Sequence, residues 1–171
     1  MLLRAGRVEL VLQSPEEVLA WVDSLPPEVR SEISPNWLNR VRKATGPDPW
    51  TGMFRIRLQE EGAETGSCGF KGSPDENGVV EIAYGIDESH RHRGLATESV
   101  GVLTEYALQL EEVRIVRAHT KAENFPSERV VVKCGFTLVG QFEDPDDGLV
   151  NRWEIHSRGK GIASTPPVDR F

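Results

Sequence analysis

The sequence has few cysteines, no long apolar run and a deficit of positive charge. Cys68 and Cys134 are the two cysteines in 171 residues and no CxxC pair is present, so we expect a reduced, cytoplasmic environment without disulfides. No apolar run approaches the roughly 20 residues that a membrane-spanning helix needs. Residues 1–13 lack the basic-then-apolar layout of a signal peptide, so we expect no export.

The charge balance excludes some classes of partner. Twenty Lys and Arg residues stand against 27 Asp and Glu residues, a formal net charge of −7. A general nucleic-acid binder needs a basic face, so we expect no nucleic-acid partner, and no membrane partner either. The acidity is compatible with a cationic substrate such as an amine. The length predicts one domain over residues 1–156, with residues 157–171 as a flexible tail.

Apolar patterning predicts the fold class. The helix that starts after Ser14 has a capping box with Glu17, and a longer helix ends near Leu110. Strands interleaved with helices predict an α/β (α+β) domain with one mixed sheet. The predicted strands are RVELVLQ (7–13), MFRIRLQ (53–59), GSCGFKG (66–72), VVEIAYGI (79–86), VRIVRAHT (113–120), TLVGQFE (137–143) and LVNRWEI (149–155).

Residues 127–134 are ambiguous on propensity alone. Three consecutive valines, Val130 to Val132, favour a strand. Pro126, however, lies where a helix would begin and Gly135 where one would end. Local preference leaves both structures open.

The stretch SHRHRGLATES, residues 89–99, concentrates cations at a loop-to-helix junction. The first amides of a helix lack intrahelical partners, and small residues such as Gly94 and Ala96 let an anion approach them. Arg91 and Arg93 add charge, and Thr97 adds a hydroxyl. The stretch therefore has the features of a diphosphate cradle. A solvated basic loop before an ordinary helix is the alternative.

Other ligand classes have less support at this junction. The sequence contains neither GxxxxGK[ST] nor GxGxxG, which argues against a P-loop or a dinucleotide fold. His90 and His92 lack a second cluster of metal ligands at usable spacing, so we predict no metal.

Residues Arg91 to Ala96 fit the pattern R/Q-x-x-G-x-G/A. With VEIAYGIDES before it and RAHTKAENFPSERVVVKCGFTLVGQF after it, the chain resembles the GNAT (GCN5-related N-acetyltransferase) superfamily. It is most similar to the branch of ribosomal-protein-alanine N-acetyltransferases (RimJ/RimL-like). The resemblance covers about Phe54 to Ile155. It implies a mostly antiparallel sheet of about six to seven strands, flanked by helices and splayed between two central parallel strands.

The resemblance also implies which residues bind acetyl-CoA, the expected cosubstrate. Main-chain amides of the turn would hold the pyrophosphate, and two residues of the next segment would lie near the pantetheine arm. It further implies that SERVVVKC is helical. The residues so implied are Ile86, Arg91, His92, Arg93, Gly94, Leu95, Ala96, Thr97, Asn124 and Ser127.

The strand VVEIAYGI is where the chemistry is expected. Its period of two puts Glu81, Ala83 and Gly85 on one face, which describes a groove with a carboxylate at its floor. A solvated strand edge is the alternative. The resemblance implies that Glu81, three residues before Tyr84, is the general base. It also implies that main-chain N–H groups near Ile86 stabilise negative charge on the thioester oxygen.

A proton donor for the leaving thiolate is harder to assign. Many relatives have a tyrosine where this chain has Val131, so Ser127 is the nearest replacement. His119 is expected to be a buried or edge-paired histidine, and Cys134 a small core residue.

These observations predict an N-acetyltransferase. An amine acceptor, either a protein N-terminus or a small molecule, would attack acetyl-CoA directly in a ternary complex, with catalytic residues Glu81 and Ser127. The resemblance also leaves room for a homodimer. The alternative is a coenzyme A-binding sensor or scaffold of the same fold without catalysis.

Overall fold

The computed structural model describes residues 1–145 and 148–157. The predicted tail at residues 157–171 therefore lies outside the described residues, except for Ser157. Along the described chain, two strands are followed by three helices and three strands, and the last helices and strands then alternate. The strands are β1 Leu2–Ala5, β2 Val8–Leu12, β3 Phe54–Leu58, β4 Glu64–Phe70, β5 Val79–Ile86, β6 Ile115–Lys121, β7 Thr137–Asp144 and β8 Gly148–His156. The helices are α1 Pro15–Ser24, α2 Pro27–Ser31, α3 Pro35–Lys43, α4 Leu95–Gln109 and α5 Phe125–Lys133.

The strands form one sheet in the order β1-β2-β3-β4-β5-β6-β8-β7. The pair β5–β6 is parallel and the other pairs are antiparallel. The predicted mixed, mostly antiparallel sheet is confirmed, but the count of six to seven strands is wrong because the sheet has eight. The additional strand, Leu2–Ala5, is only four residues long and alternates between exposed and half-buried residues, so it has no buried face.

The sheet splays between its two parallel strands. Pairing joins Val79–Ile82 to Ile115–Ala118 and then stops. Strand β5 continues to Ile86 and β6 to Lys121, so the ends of both strands border a gap. This confirms the predicted splay and places a cleft at the carboxyl ends of β5 and β6.

Helix α4 packs on one face of the sheet and buries the main core. Its Val100, Leu103 and Ala107 are fully buried in the same cluster as Val80 and Ile82 of β5. Ala96 and Leu110, the outer members of the predicted stripe, are half-buried. Because neighbouring residues of a strand point to opposite faces, Glu81 lies on the face away from α4. We call this the open face, defined by Lys71, Glu81, Arg117, His119 and Arg152.

The ambiguous segment is a helix, as the resemblance implied. Asn124 caps α5 through its side chain, Pro126 lies in the first turn, and Gly135 follows the helix end. Val131 is fully buried in the main core. Tertiary burial of this helix face thus outweighs the strand preference of three valines.

Candidate functional site

The turn that leads into α4 presents unpaired main-chain amides. His92 and Gly94 have φ values of 61° and 80°, and α4 begins at Leu95 with Gly94 as its cap. Among the described residues, the amides of residues 92–97 have no hydrogen-bond partner. The side chain of Leu95 is buried, whereas residues 91–94 are exposed. Six successive N–H groups thus lie at the positive end of a 15-residue helix, which is an arrangement suited to an anion.

Arg7, in the turn between β1 and β2, braces the turn at residues 92–97 through hydrogen bonds to Arg93 and Glu98. Its Nη2 donates to the carbonyl oxygen of Arg93 at 2.5 Å, and its Nε donates to Glu98 Oε1 at 2.9 Å. The Arg7 amide also donates to Glu98 Oε2 at 2.7 Å. Sequence reasoning missed Arg7 because the contact joins residues 86 positions apart, which no local pattern reveals.

Arg91 connects the turn to the end of β5. Its Nε donates to the carbonyl oxygen of Ile86 at 3.1 Å, so the guanidinium lies beside the last residue of the strand. The predicted cradle residues and Ile86 are therefore neighbours in space. Positive charge lies at the junction between the gap and the turn.

Main-chain groups of β5 also point into the gap. Lys71 N donates to Glu81 O and Asp87 N donates to Thr65 O, so odd-numbered residues of this strand bond to β4. In an antiparallel pair the alternate residues direct their N–H and C=O groups to the other side. Tyr84 and Ile86 therefore direct theirs towards β6, beyond the point where β5–β6 pairing ends.

Asn124 and Ser127 lie at the start of α5, on the other side of the gap. Asn124 Oδ1 accepts a hydrogen bond from Ser127 N at 3.3 Å. Ser127 Oγ lies 2.7 Å from the Tyr84 hydroxyl, which also reaches the Ser127 carbonyl oxygen at 3.2 Å. Burial raises the pKa of the Tyr84 phenol, and the bond to Ser127 opposes that rise in part. Ser127 and Tyr84 thus form a hydroxyl pair across the gap.

Glu81 has two partners on the open face. Its Oε1 lies 2.5 Å from Lys71 Nζ and 2.9 Å from His119 Nδ1, and 24% of its side chain is exposed. His119 contacts Arg152 as well, through Nε2 at 3.1 Å from Arg152 Nε. His119 was expected to be buried or edge-paired; it is half-buried and pairs with Arg152 of β8. Sequence reasoning did not join His119 to Glu81.

Two residues near α5 are unsuited to proton donation or nucleophilic attack. Val131, at the position of the tyrosine in many relatives, is fully buried in the core. Cys134 Sγ donates to the carbonyl oxygen of Thr97 at 3.4 Å, and burial raises the pKa of its thiol to about 11. At neutral pH this cysteine is a protonated thiol, which is a poor nucleophile.

A shallow cavity of about 410 Å³ lies beside α5. It contains neither the turn residues 91–97 nor Glu81. Its lining residues are Phe125, Glu128, Arg129, Val132, Lys133 and Trp153. Because the unpaired amides of the turn and the carboxylate of Glu81 border the gap and not this cavity, the gap is the candidate site.

Within residues 1–145 and 148–157, no group of three or more His, Cys, Asp or Glu side chains is placed to hold a metal ion. Within the same part of the chain, no helix combines the length and apolar character that crossing a bilayer demands.

Comparison with known proteins assigns the family. Residues 5–137 match the acetyltransferase (GNAT) domain. The chain belongs to the GNAT family. This confirms the resemblance carried by Arg91 to Ala96 and the segments around it. The GNAT match spans the turn, Glu81, Asn124 and Ser127.

Two curated GNAT relatives match over shorter segments. The uncharacterized N-acetyltransferase YjdG of Bacillus subtilis is 38% identical over 73 residues, 43% of this chain and 44% of that protein. The ribosomal-protein-serine acetyltransferase of Escherichia coli is 30% identical over 88 residues, 52% of this chain and 48% of that protein. The chain thus spans about half the length of the curated relatives it matches.

The GNAT fold is shared with solved structures. The ribosomal L7/L12 α-N-protein acetyltransferase RimL, determined with coenzyme A, superposes with a TM-score of 0.67 at 20% identity. The alignment covers 91% of this chain and 98% of that one. At this identity the likeness is one of fold.

Proposed function

We propose that this GNAT protein is an N-acetyltransferase that transfers the acetyl group of acetyl-CoA to an amine. One observation carries the proposal: the unpartnered amides of residues 92–97 and the free edge of β5 meet at the same gap. The unpartnered amides can bind a diphosphate. The free edge of β5 can form hydrogen bonds with the amide groups of the pantetheine arm. Glu81 lies on β5 at the point where the gap opens.

For binding, the main-chain amides of residues 92–97 would hold the two phosphates. Leu95 contributes its amide alone because its side chain is buried. Arg91, His92 and Arg93 are exposed around that cradle. Asn124 and Ser127 would line the other side of the gap, near the pantetheine arm. The hydrogen bond from Arg7 to the Arg93 carbonyl oxygen supports the shape of this turn.

Acetyl-CoA supplies the acetyl thioester, and the residues of this chain handle the protons. Glu81 accepts a proton from the acceptor ammonium, so that the amine can form a bond to the carbonyl carbon. Main-chain N–H groups of Tyr84 and Ile86 face the gap and stabilise negative charge on the carbonyl oxygen. As the carbon–sulfur bond breaks, Ser127, paired with Tyr84, passes a proton to the thiolate, and the proton that the acetylated nitrogen then loses restores the hydroxyl pair.

The acceptor amine belongs to a protein N-terminus or to a small molecule. The similarity to a ribosomal-protein-serine acetyltransferase supports the first. In either case the amine has to replace Lys71 beside Glu81, because the lysine ammonium occupies that position now.

Two features favour the alternative of a coenzyme A-binding module without catalysis. Val131 removes the usual tyrosine, and Lys71 neutralises the candidate base. The pairing of Tyr84 with Ser127 favours catalysis, because these hydroxyls provide another proton donor for the leaving thiolate in place of the missing tyrosine.

Measurements of coenzyme A binding and of acetyl transfer distinguish the enzyme from the non-catalytic module. The purified chain should bind coenzyme A in calorimetry, and should release free thiol from acetyl-CoA in the presence of an amine. Binding without thiol release on a panel of peptide N-termini, polyamines and amino acids would favour the module. Absence of binding contradicts both.

A further inference from the structure

Cationic side chains surround Glu81 on the open face. Lys71 Nζ lies 2.5 Å from Glu81 Oε1, and Arg117 is its partner on the adjacent parallel strand. His119 Nδ1 lies 2.9 Å from the same carboxylate oxygen, and Arg152 follows behind His119. Lys71 follows the end of β4, Arg117 and His119 belong to β6, and Arg152 belongs to β8. The strand register brings these four residues together.

The hydrogen-bond chain orders the donors and acceptors at His119. Arg152 Nε can only donate, so His119 Nε2 accepts. Nδ1 is then the nitrogen that donates to Glu81. We therefore count only the lysine and arginine side chains as cations of the open face.

The charge around Glu81 is positive, in contrast to the acidic chain. Arg40 joins the group, because its Nη2 donates to the Lys71 carbonyl oxygen at 2.5 Å. Four cations, Lys71, Arg40, Arg117 and Arg152, stand against the two carboxylates of Glu81 and Glu154. The local charge around Glu81 is therefore opposite in sign to the overall charge of −7.

Arg152 is the cation best placed to meet a ligand. Its guanidinium carbon lies 3.7 Å from the centre of the Phe142 ring, which holds it in position. Within residues 1–145 and 148–157, no carboxylate oxygen lies within 4.0 Å of it. Arg117, by contrast, is paired with Glu154 at 2.7 Å.

We infer that the acceptor carries a carboxylate close to its amine, an inference that rests on the proposed function. The acceptor ammonium would replace Lys71 beside Glu81, while its carboxylate would take Lys71 and Arg152 as partners. A polycation would displace the same lysine and meet the remaining cations without compensation. A free amino acid and a peptide with acidic residues after its N-terminus share the required chemistry.

Matched acceptors test the inference. Three peptides that begin with serine and continue with two glutamates, two glutamines or two lysines differ only in charge, and free glutamate and spermidine complete the panel. Affinity is measured by calorimetry with coenzyme A present, so that no transfer occurs, and kcat/KM is measured with acetyl-CoA. We expect the glutamate peptide to exceed the lysine peptide by about tenfold in both. Comparing free glutamate with the glutamate peptide distinguishes the two sources of the carboxylate.

Variants test which residues cause the preference for the glutamate peptide. Arg152→Gln and Lys71→Gln should each reduce the ratio between the glutamate and lysine peptides to about threefold or less. Lys43→Gln, which removes an exposed cation from α3, should leave the ratio unchanged. Equal or stronger binding of the lysine peptide overturns the inference whatever the turnover. Preferential binding of the acidic peptide without thiol release contradicts the proposed function and supports the inference.

Discussion

The two halves of the candidate site differ in what they use to hold a ligand. The turn at residues 91–97 offers main-chain amides and leaves its polar side chains exposed. The open face offers side chains that already pair with one another, with Lys71 and His119 on Glu81. Main-chain recognition tolerates changes of side chain as long as the backbone keeps its shape. Side-chain recognition depends on individual groups, so single substitutions should act there most strongly.

The largest expected effect is at Glu81. Glu81→Gln keeps the shape of the side chain and removes its capacity to accept a proton, so kcat/KM should fall by at least about 100-fold. Thiol release at several pH values measures this, with Glu105→Gln on the exposed side of α4 as control. Activity that is unchanged at every pH would show that Glu81 is not the base.

The second largest effect is at the turn, when its backbone is disturbed. Gly94 has a φ of 80°, where a side chain costs about 1–2 kcal/mol. Gly94→Ala should therefore weaken coenzyme A binding by roughly tenfold. Gly101→Ala, at a helical position with open space around it, is the matched control and should bind normally. Equal affinities for the two variants would argue against main-chain recognition.

The hydroxyl pair across the gap should give an intermediate effect. Tyr84→Phe and Ser127→Ala should each lower kcat by about fivefold, and the double variant should lose little more, because the two groups act as one unit. Presteady-state rates of thiol formation isolate this step from product release. Fully multiplicative losses would mean that the two hydroxyls act separately.

A smaller effect is expected when a side chain of the turn is changed. Arg91→Gln removes one exposed charge but leaves the amides in place, so the dissociation constant for coenzyme A should rise about threefold. The rise should shrink as the salt concentration increases, which titrations at two ionic strengths would reveal. A loss as large as that of Gly94→Ala would reverse the contrast between the two modes of recognition.

The smallest effect concerns Cys134, which supports the turn through Thr97. Burial raises the pKa of its thiol from 9.0 to about 11 in the folded protein. The raised pKa contributes stability that is complete below pH 9 and is lost as the pH rises through 11. Cys134→Ser should therefore flatten the decline of unfolding free energy between pH 8 and 11 in urea titrations. Parallel curves for the two proteins would show that this thiol does not contribute.

The turn could be predicted from the sequence because its features are contiguous. The two arginines come just before the glycine and the small residue Ala96, so the whole pattern lies within the six residues from Arg91 to Ala96. The face on which Glu81 lies could also be predicted, because the period of two in β5 separates it from Val80 and Ile82. Both predictions depend on short-range geometry that the chain itself imposes.

The partners of Glu81 could not be predicted in this way. Lys71 and Arg152 lie ten and 71 positions from Glu81, and only the register of β4, β5, β6 and β8 brings them close. The pairing of Tyr84 with Ser127 has the same origin, because it depends on how α5 packs against the sheet. Long-range contacts of this kind leave no periodic signal in a single sequence.

The Arg7 brace has a practical consequence for protein engineering. Trimming the amino terminus through residue 7 to improve expression would remove the guanidinium that holds the Arg93 carbonyl oxygen and Glu98. A truncated protein could retain its core and still lose affinity for the coenzyme. Affinity tags are therefore better separated from Met1 by a spacer than fused directly to the first strand.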